Sequence, residues 1–208
     1  MLRVHRIPFS TNVERVALAA AHKRLAVEWV DHDPSDRSAV HALSGQDLVP
    51  VAELDGEVVG DSTRIIERLE VLVPEPRLYP PEPAVRARVE VFVEWFNEVW
   101  KRPPNEIFAE LGRESPDRSR IAALSEPLSN SLDLFDRLLA ESDHLLTNEL
   151  SAADVSAFPF LKFAVLAPDP DDVDRFHSVL HDHLRLDQHG DRPRLRAWIA
   201  RVDARPRA

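Results

Sequence analysis

The 208-residue sequence predicts a small α/β domain of order β-α-β-α-β-β-α followed by an all-α helical bundle. Three observations predict it. Up to about Val73, short β-branched runs alternate with segments of helical period. Asp55-Gly56 supplies one tight hairpin turn, and five prolines within Pro74–Pro83 interrupt the chain, after which only the helical period recurs.

Leu2–Ile7 reads as a strand stopped at Pro8, and Val13–Leu25 as an amphipathic helix. Val27–Val30 is a second strand and Asp36–Leu43 a short helix. Val49–Leu54 and Glu57–Val59 flank the hairpin turn, and Asp61 or Ser62 caps a helix reaching about Val73. The βαβ opening requires a parallel pair and the hairpin an antiparallel one, so the sheet is mixed. Proline cannot continue a helix or a central strand. The cluster therefore divides the chain into a first domain, 1–78, a linker, 79–84, and a second domain, 85–208. In the second, Val85, Val89, Phe92, Phe96 and Val99 recur every three or four residues, as do Ile121, Leu124, Leu128, Leu132, Phe135 and Leu139. These are two long helices, with breaks near Pro103-Pro104 and Gly112. Ala152–Leu166, Asp171–His183 and Arg194–Val202 complete the bundle, and Pro159 is expected to bend the first of the three.

Composition excludes several functions. The net charge of -10 disfavours nucleic acid and anionic membranes, both of which need a basic face. No apolar run approaches the roughly 20 residues of a membrane span. Met1–Phe9 lacks the apolar stretch and cleavage site of a signal peptide, so a cytoplasmic location is the expectation. The chain has no Cys, which removes disulfides, thiolate metal ligands and any nucleophilic thiol of its own. His177, His181 and His183 include a pair at metal-ligand spacing, but no His-Glu-x-x-His arrangement accompanies them. They read as solvent-exposed, and no metal site is assigned.

Three places could carry chemistry. Ser10-Thr11-Asn12 stands between the first strand and the first helix, where unpaired N–H groups and the helix dipole favour an anion. All three are also ordinary N-cap residues, and Thr11-x-x-Glu14 has capping-box spacing. In Leu48-Val49-Pro50-Val51 the proline either opens a strand, where it has no N–H to lose, or follows a cis peptide bond. The cis geometry would turn the backbone of Val49 outward to pair with an extended ligand. Asp61-Ser62 begins the third helix, either as a simple cap or as a carboxylate for an ammonium beside N–H and hydroxyl groups for a carboxylate.

In this order and spacing, Ser10-x4-Arg15-Val16, Val49-Pro50-Val51 leading into Leu54-Asp55-Gly56-x-Val58-Val59, and Asp61-Ser62-x-x-Ile65 with Leu69 resemble a known family. It is the cytosolic glutathione S-transferase superfamily, whose N-terminal domain is thioredoxin-like. Ser151-Ala152-Ala153-Asp154, with Leu150 before it and Val155 after, is a Ser-x-x-Asp capping box similar to the folding motif of that family's helical domain. The resemblance spans nearly the whole chain and is weakest in Glu110–Glu149 and after Pro168.

The resemblance implies a serine-type transferase with glutathione as cosubstrate and no permanently bound cofactor. Ser10, with Thr11 as its rival, would hydrogen-bond the glutathione sulfur and stabilise the thiolate. Val49 would pair with the cysteinyl unit beside the cis-proline Pro50, and Asp61 with Ser62 would hold the γ-glutamyl ammonium and carboxylate. Relatives usually carry Glu where this chain has Asp61, and Gln or Lys where it has Leu48, for which Gln46 is the substitute. Without Cys the branches that need a protein thiol are excluded, and Tyr79, the only tyrosine, comes too late to be catalytic. A small apolar electrophile is expected near the first long helix of the second domain, with Trp95 and Trp100 as pocket residues, although helical spacing also places them in a core. Homodimerisation is likewise implied by the family. The alternatives are an isomerase or dehalogenase built on the same thiolate, an enzyme using another low-molecular-weight thiol, or a non-catalytic binding or scaffolding protein.

Overall fold

In the computed structural model, which describes residues 2–172 and 175–208, four strands form one mixed sheet. They are β1 (Leu2–Arg6), β2 (Val27–Asp31), β3 (Val51–Leu54) and β4 (Glu57–Gly60), in the order β2-β1-β3-β4. The pair β1–β2 is parallel and the other two pairs are antiparallel, as the βαβ opening and the hairpin require. Val51 lies opposite both His5 and Gly60. Hence the end of β1, the start of β3 and the end of β4 share one end of the sheet.

Three helices accompany the sheet: α1 (Thr11–His22), α2 (Ser38–Ser44) and α3 (Ser62–Leu72). α1 packs on α3, with Val16, Leu18, Ala19 and Ala20 buried on one helix and Ile65, Ile66 and Leu69 on the other. α1 stops three residues before the expected Leu25. Arg24 takes a left-handed φ of 57°, and the amides of Arg24 and Leu25 return to Ala21 and Ala20, a Schellman closure made without glycine. Lys23, just beyond the helix, buries its ammonium against Glu70 at 2.6 Å and donates to the carbonyls of Val73 and Pro76. Glu70 in turn accepts the amides of Leu78 and Tyr79, so this pair fixes the proline-rich segment onto α1 and α3.

The chain divides into two units, one reaching Pro80 and taking in Arg205–Ala208, the other Pro81–Ala204. The last four residues, grouped with the helices in the sequence reading, instead pack on the first unit. Ala208 N–H bonds the carbonyl of Ala17, Trp29 Nε1 donates to the carbonyl of Ala208, and Arg207 pairs with Glu14 at 3.0 Å.

The second unit contains α4 (Pro83–Trp95), α5 (Arg102–Leu111), α6 (Arg118–Leu138), α7 (Ala152–Leu161), α8 (Phe176–Leu184), α9 (Leu186–His189) and α10 (Pro193–Asp203). A π-helical turn, Phe96–Trp100, continues α4, and α5 then starts with Pro103 and Pro104 in its first turn, where no N–H is needed. α6 runs unbroken through Pro127, and α7 continues past Pro159 for two residues before a 3-10 turn over Lys162–Ala164. The helix expected from Asp171 begins at Phe176; residues 173 and 174 of that expectation lie outside the described residues. Arg175, at φ 60°, precedes it.

α7 is buried along its whole length, and its capping box is complete. Asp154 Oδ2 accepts from the Ser151 amide and hydroxyl at 2.9 and 3.1 Å. Its Oδ1 accepts from Trp198 Nε1 at 2.7 Å, the Leu145 amide at 2.9 Å and His144 Nδ1 at 3.3 Å. One carboxylate thus joins α7, the preceding loop and α10.

Candidate functional site

The register of the sheet determines where the polar residues meet. Because β1 leaves, β3 enters and β4 leaves at one end, the N-termini of α1 and α3 and the segment before β3 all lie there. Ile7, Val13, Val49 and Val51 join Val40 of α2 in one apolar cluster beneath this end. The clustering places Val49 beside the turn that carries Ser10.

Ser10 is the N-cap of α1. Its Oγ accepts the Val13 N–H at 3.4 Å, and its carbonyl accepts the Glu14 N–H. A hydroxyl accepting in this way keeps its own proton to donate. Thr11 is the first helical residue rather than the cap, and only 6% exposed, whereas Ser10 is half-buried. The capping box expected at Thr11 and Glu14 is therefore not the arrangement adopted: Ser10 caps, and the Glu14 carboxylate pairs with Arg207.

The Val49–Pro50 peptide bond is cis. No described group pairs with the N–H or C=O of Val49, which leaves both for an extended partner. The Glu75–Pro76 bond is also cis, which the sequence did not indicate.

Asp61 caps α3: its Oδ1 accepts the Thr63 and Arg64 amides at 2.8 and 3.2 Å, and its side chain is exposed. Ser62 is buried at the first helical position, its Oγ accepting from Arg15 Nη1 at 3.4 Å. Arg15 comes from the buried face of α1 and is 1% exposed. Burial pushes its guanidinium pKa down to about 9, against the opposing pull of the Asp61 charge, which leaves it a cation at neutral pH. Sequence reasoning used Arg15 only as a motif marker. The sign of its role was a cation among Val16, Leu18, Ala19 and Ala20 on the face of α1 that is buried.

Gln46 lies across Gly60, the residue before Asp61. A Cβ on Gly60 would stand 2.4 Å from Gln46 Nε2, so the glycine is what admits this side chain. Leu48, where a polar residue would be expected, is 67% exposed. Ser10, Gln46, Val49, Pro50, Asp61 and Ser62 are thus gathered at one end of the sheet. Both helices there are preceded by a non-glycine residue of positive φ, Phe9 at 63° and Asp61 at 68°, the kind of strain that clusters at functional sites.

Trp95 and Trp100 belong to the helical unit. Trp100 is buried, stacked on Phe96 at 4.4 Å and edge-on to Phe135 and Phe160, with its N–H bound to Ser131 Oγ. Trp95 is half-buried against Phe92 and Phe135. The three histidines of α8 are not solvent-exposed, in contrast to the expectation. His177 is buried on Phe163 and Asp172, His181 bonds the Phe163 carbonyl, and His183 bonds Ser125 Oγ. Their ring nitrogens are directed to separate partners, and no group of three or more ligating side chains converges among the described residues.

Family models for the glutathione S-transferase N-terminal domain and C-terminal domain match residues 4–77 and 118–201. Glutathione S-transferase L3 of Arabidopsis thaliana is 24% identical over 158 residues, which is 76% of this chain and 57% of the plant protein. The crystal structure of a glutathione S-transferase from Rhodospirillum rubrum F11 is 27% identical, with a TM-score of 0.76 over 99% of this chain and 89% of its own. A theta class glutathione S-transferase from Xanthomonas axonopodis pv. citri, solved with glutathione bound, is 23% identical with a TM-score of 0.73, covering 99% of this chain and 93% of its own.

Proposed function

The chain belongs to the glutathione S-transferase family, and from that membership we propose that it binds glutathione and, through Ser10, presents its thiolate to a small apolar electrophile. The observation that carries this reading is the Ser10 hydroxyl. It caps α1 by accepting from Val13, and its remaining proton is free to donate at the positive end of that helix.

The chain itself has no thiol, so the sulfur nucleophile belongs to the cosubstrate. The protein's part is to favour the thiolate over the thiol, which a hydrogen bond to the charged form and a helix N-terminus both do. Thr11, buried as the first residue of the helix, is the weaker contender. The rest of the tripeptide is positioned by groups with unused bonding capacity. The Val49 backbone would pair with the cysteinyl unit. The Asp61 oxygen not engaged in capping would hold the γ-glutamyl ammonium, and the Ser62 amide and hydroxyl its carboxylate. Arg15 would act as a positioning residue through Ser62, to whose hydroxyl its Nη1 donates. Gln46 would supply the polar contact that Leu48 cannot. A homodimer in the cytoplasm is part of the same proposal.

Calorimetric titration with reduced glutathione at neutral pH tests it. Saturable binding with Kd near or below about 1 mM is expected. Absence of binding heat at several temperatures would reject glutathione as the cosubstrate.

A further inference from the structure

A cleft of about 280 Å³ opens in the helical unit, between the segment that follows α6 and one face of α10. Its apolar wall is Leu139, Pro193 and Ala197, and its polar flanks are Ser142, Asp143, Arg194 and Arg201. Residues 194, 197 and 201 fall on one side of α10 by helical period. We propose that this cleft is a binding site for a small organic monocarboxylate with an apolar body, separate from the residues assigned to glutathione.

The two arginines carry unused donors. The Arg194 guanidinium spends only Nη1, on Asp136 Oδ2 at 3.0 Å, and the described residues offer no partner to its Nε and Nη2. Arg201 gives Nη2 to Asp143 Oδ1 at 2.8 Å and Nη1 to the Asp143 carbonyl, leaving Nε. A planar guanidinium matches the two oxygens of a carboxylate, and the apolar wall accommodates a ring or branched chain.

The existing ion pairs do not block such a ligand. The Asp143 side chain is 74% exposed, so its pair with Arg201 is of the weak surface kind and can be exchanged. Asp136 is held independently of the Arg194 guanidinium, because its Oδ1 accepts the Arg194 and Leu195 backbone amides at the start of α10. Displacement of the exposed Asp143 carboxylate from Arg201, with Asp136 retained on Arg194, leaves one uncompensated positive charge, which suits a monoanion rather than a dianion such as phosphate. Ser142 donates its hydroxyl to the His144 carbonyl and adds no donor to the cleft. The volume corresponds to roughly nine waters, enough for a single-ring acid.

The test uses the full chain and fluorine NMR of 4-fluorobenzoate, with neutral 4-fluorobenzamide as its isostere. The proposal expects saturable broadening with the benzoate and at least tenfold weaker binding of the benzamide. Ala197→Phe, at an exposed position of α10, fills the cleft without changing charge and should abolish the response at unchanged melting temperature. The double variant Arg194→Gln with Arg201→Gln should weaken binding at least tenfold. No saturable response to benzoate, equal binding of the benzamide, or full affinity in either variant would overturn the proposal.

Discussion

Replacing Asp154 by Asn tests whether a single carboxylate holds the helical unit together. The side chain is fully buried and accepts five hydrogen bonds. An amide has one accepting oxygen, so either the Ser151 side or the Trp198 side must face an NH2 group. The less costly orientation keeps the oxygen toward Trp198, Leu145 and His144. It orphans the Ser151 amide, while Ser151 Oγ, which already accepts from Ala153, can turn to accept from the new amide. Bonds to a charged group contribute about 1.5–3 kcal/mol against about 0.5–1.5 for neutral ones, and an orphaned buried N–H costs about 1–3. Three weakened bonds and one orphan, less the relief of no longer burying a charge, leave a loss of about 2–4 kcal/mol. With a urea slope near 2 kcal/mol/M, the unfolding midpoint followed by tryptophan fluorescence should fall by about 1–2 M. A fall below about 0.3 M would show that the network is not cooperative and would refute the reasoning.

Three further outcomes are expected. Ser10→Ala should raise the thiol pKa of bound glutathione by about 1–2 units, the equivalent of one hydrogen bond to a charged acceptor, read from thiolate absorbance against pH; an unmoved titration would remove Ser10 from its role. Gly60→Ala should displace Gln46 and weaken glutathione by roughly two- to tenfold, with little change in melting temperature because only the end of a flexible side chain must move. His183, on Ser125, has its pKa lowered by burial, with the Asp182 charge opposing and His189 assisting. The unfolded chain therefore takes up this proton first, and stability falls as pH drops from the ordinary value of about 6.5 to the lower folded one. His183→Gln should lessen the loss seen between urea midpoints at about pH 7.5 and 5.5.

The order of elements was legible because it rests on local signals: the Asp55-Gly56 turn, the proline cluster and two kinds of period. What escaped was decided by tertiary contacts. α1 ends without a glycine because Arg24 adopts the left-handed turn and Lys23 is consumed by Glu70. α6 keeps Pro127 because Leu128, Leu132 and Phe135 remain buried along the same face beyond it. The attachment of residues 205–208 to the first unit depends on Trp29, Ala17 and Glu14, nearly two hundred residues away in the chain. Within the site, the individual residues were legible but their roles as neighbours were not. Nothing in Thr11-x-x-Glu14 shows that Ser10 wins the cap, and nothing in Gly60 shows that Gln46 needs its missing side chain.

Asp61 shows how the site and the fold compete. β4 ends at Gly60 and α3 begins at Ser62, so one residue must turn the chain from strand to helix. It does so at φ 68° and ψ 130°, a region that suits glycine and costs other residues about 1–3 kcal/mol. The carboxylate recovers part of this by capping α3, an effect that glycine at an N-cap loses by only a few tenths of a kcal/mol relative to Asp. Asp61→Gly should therefore hold or raise stability, whereas Asp61→Ala should keep the strain and lose the cap. If Asp61 also holds the γ-glutamyl ammonium, the glycine variant should lose about ten- to a hundredfold in glutathione affinity, the range of one charge-assisted bond. A stable Asp61→Gly protein with undiminished affinity would mean that the aspartate is retained for the helix alone. Stability and affinity moving in opposite directions would show that the strained turn is kept for its ligand.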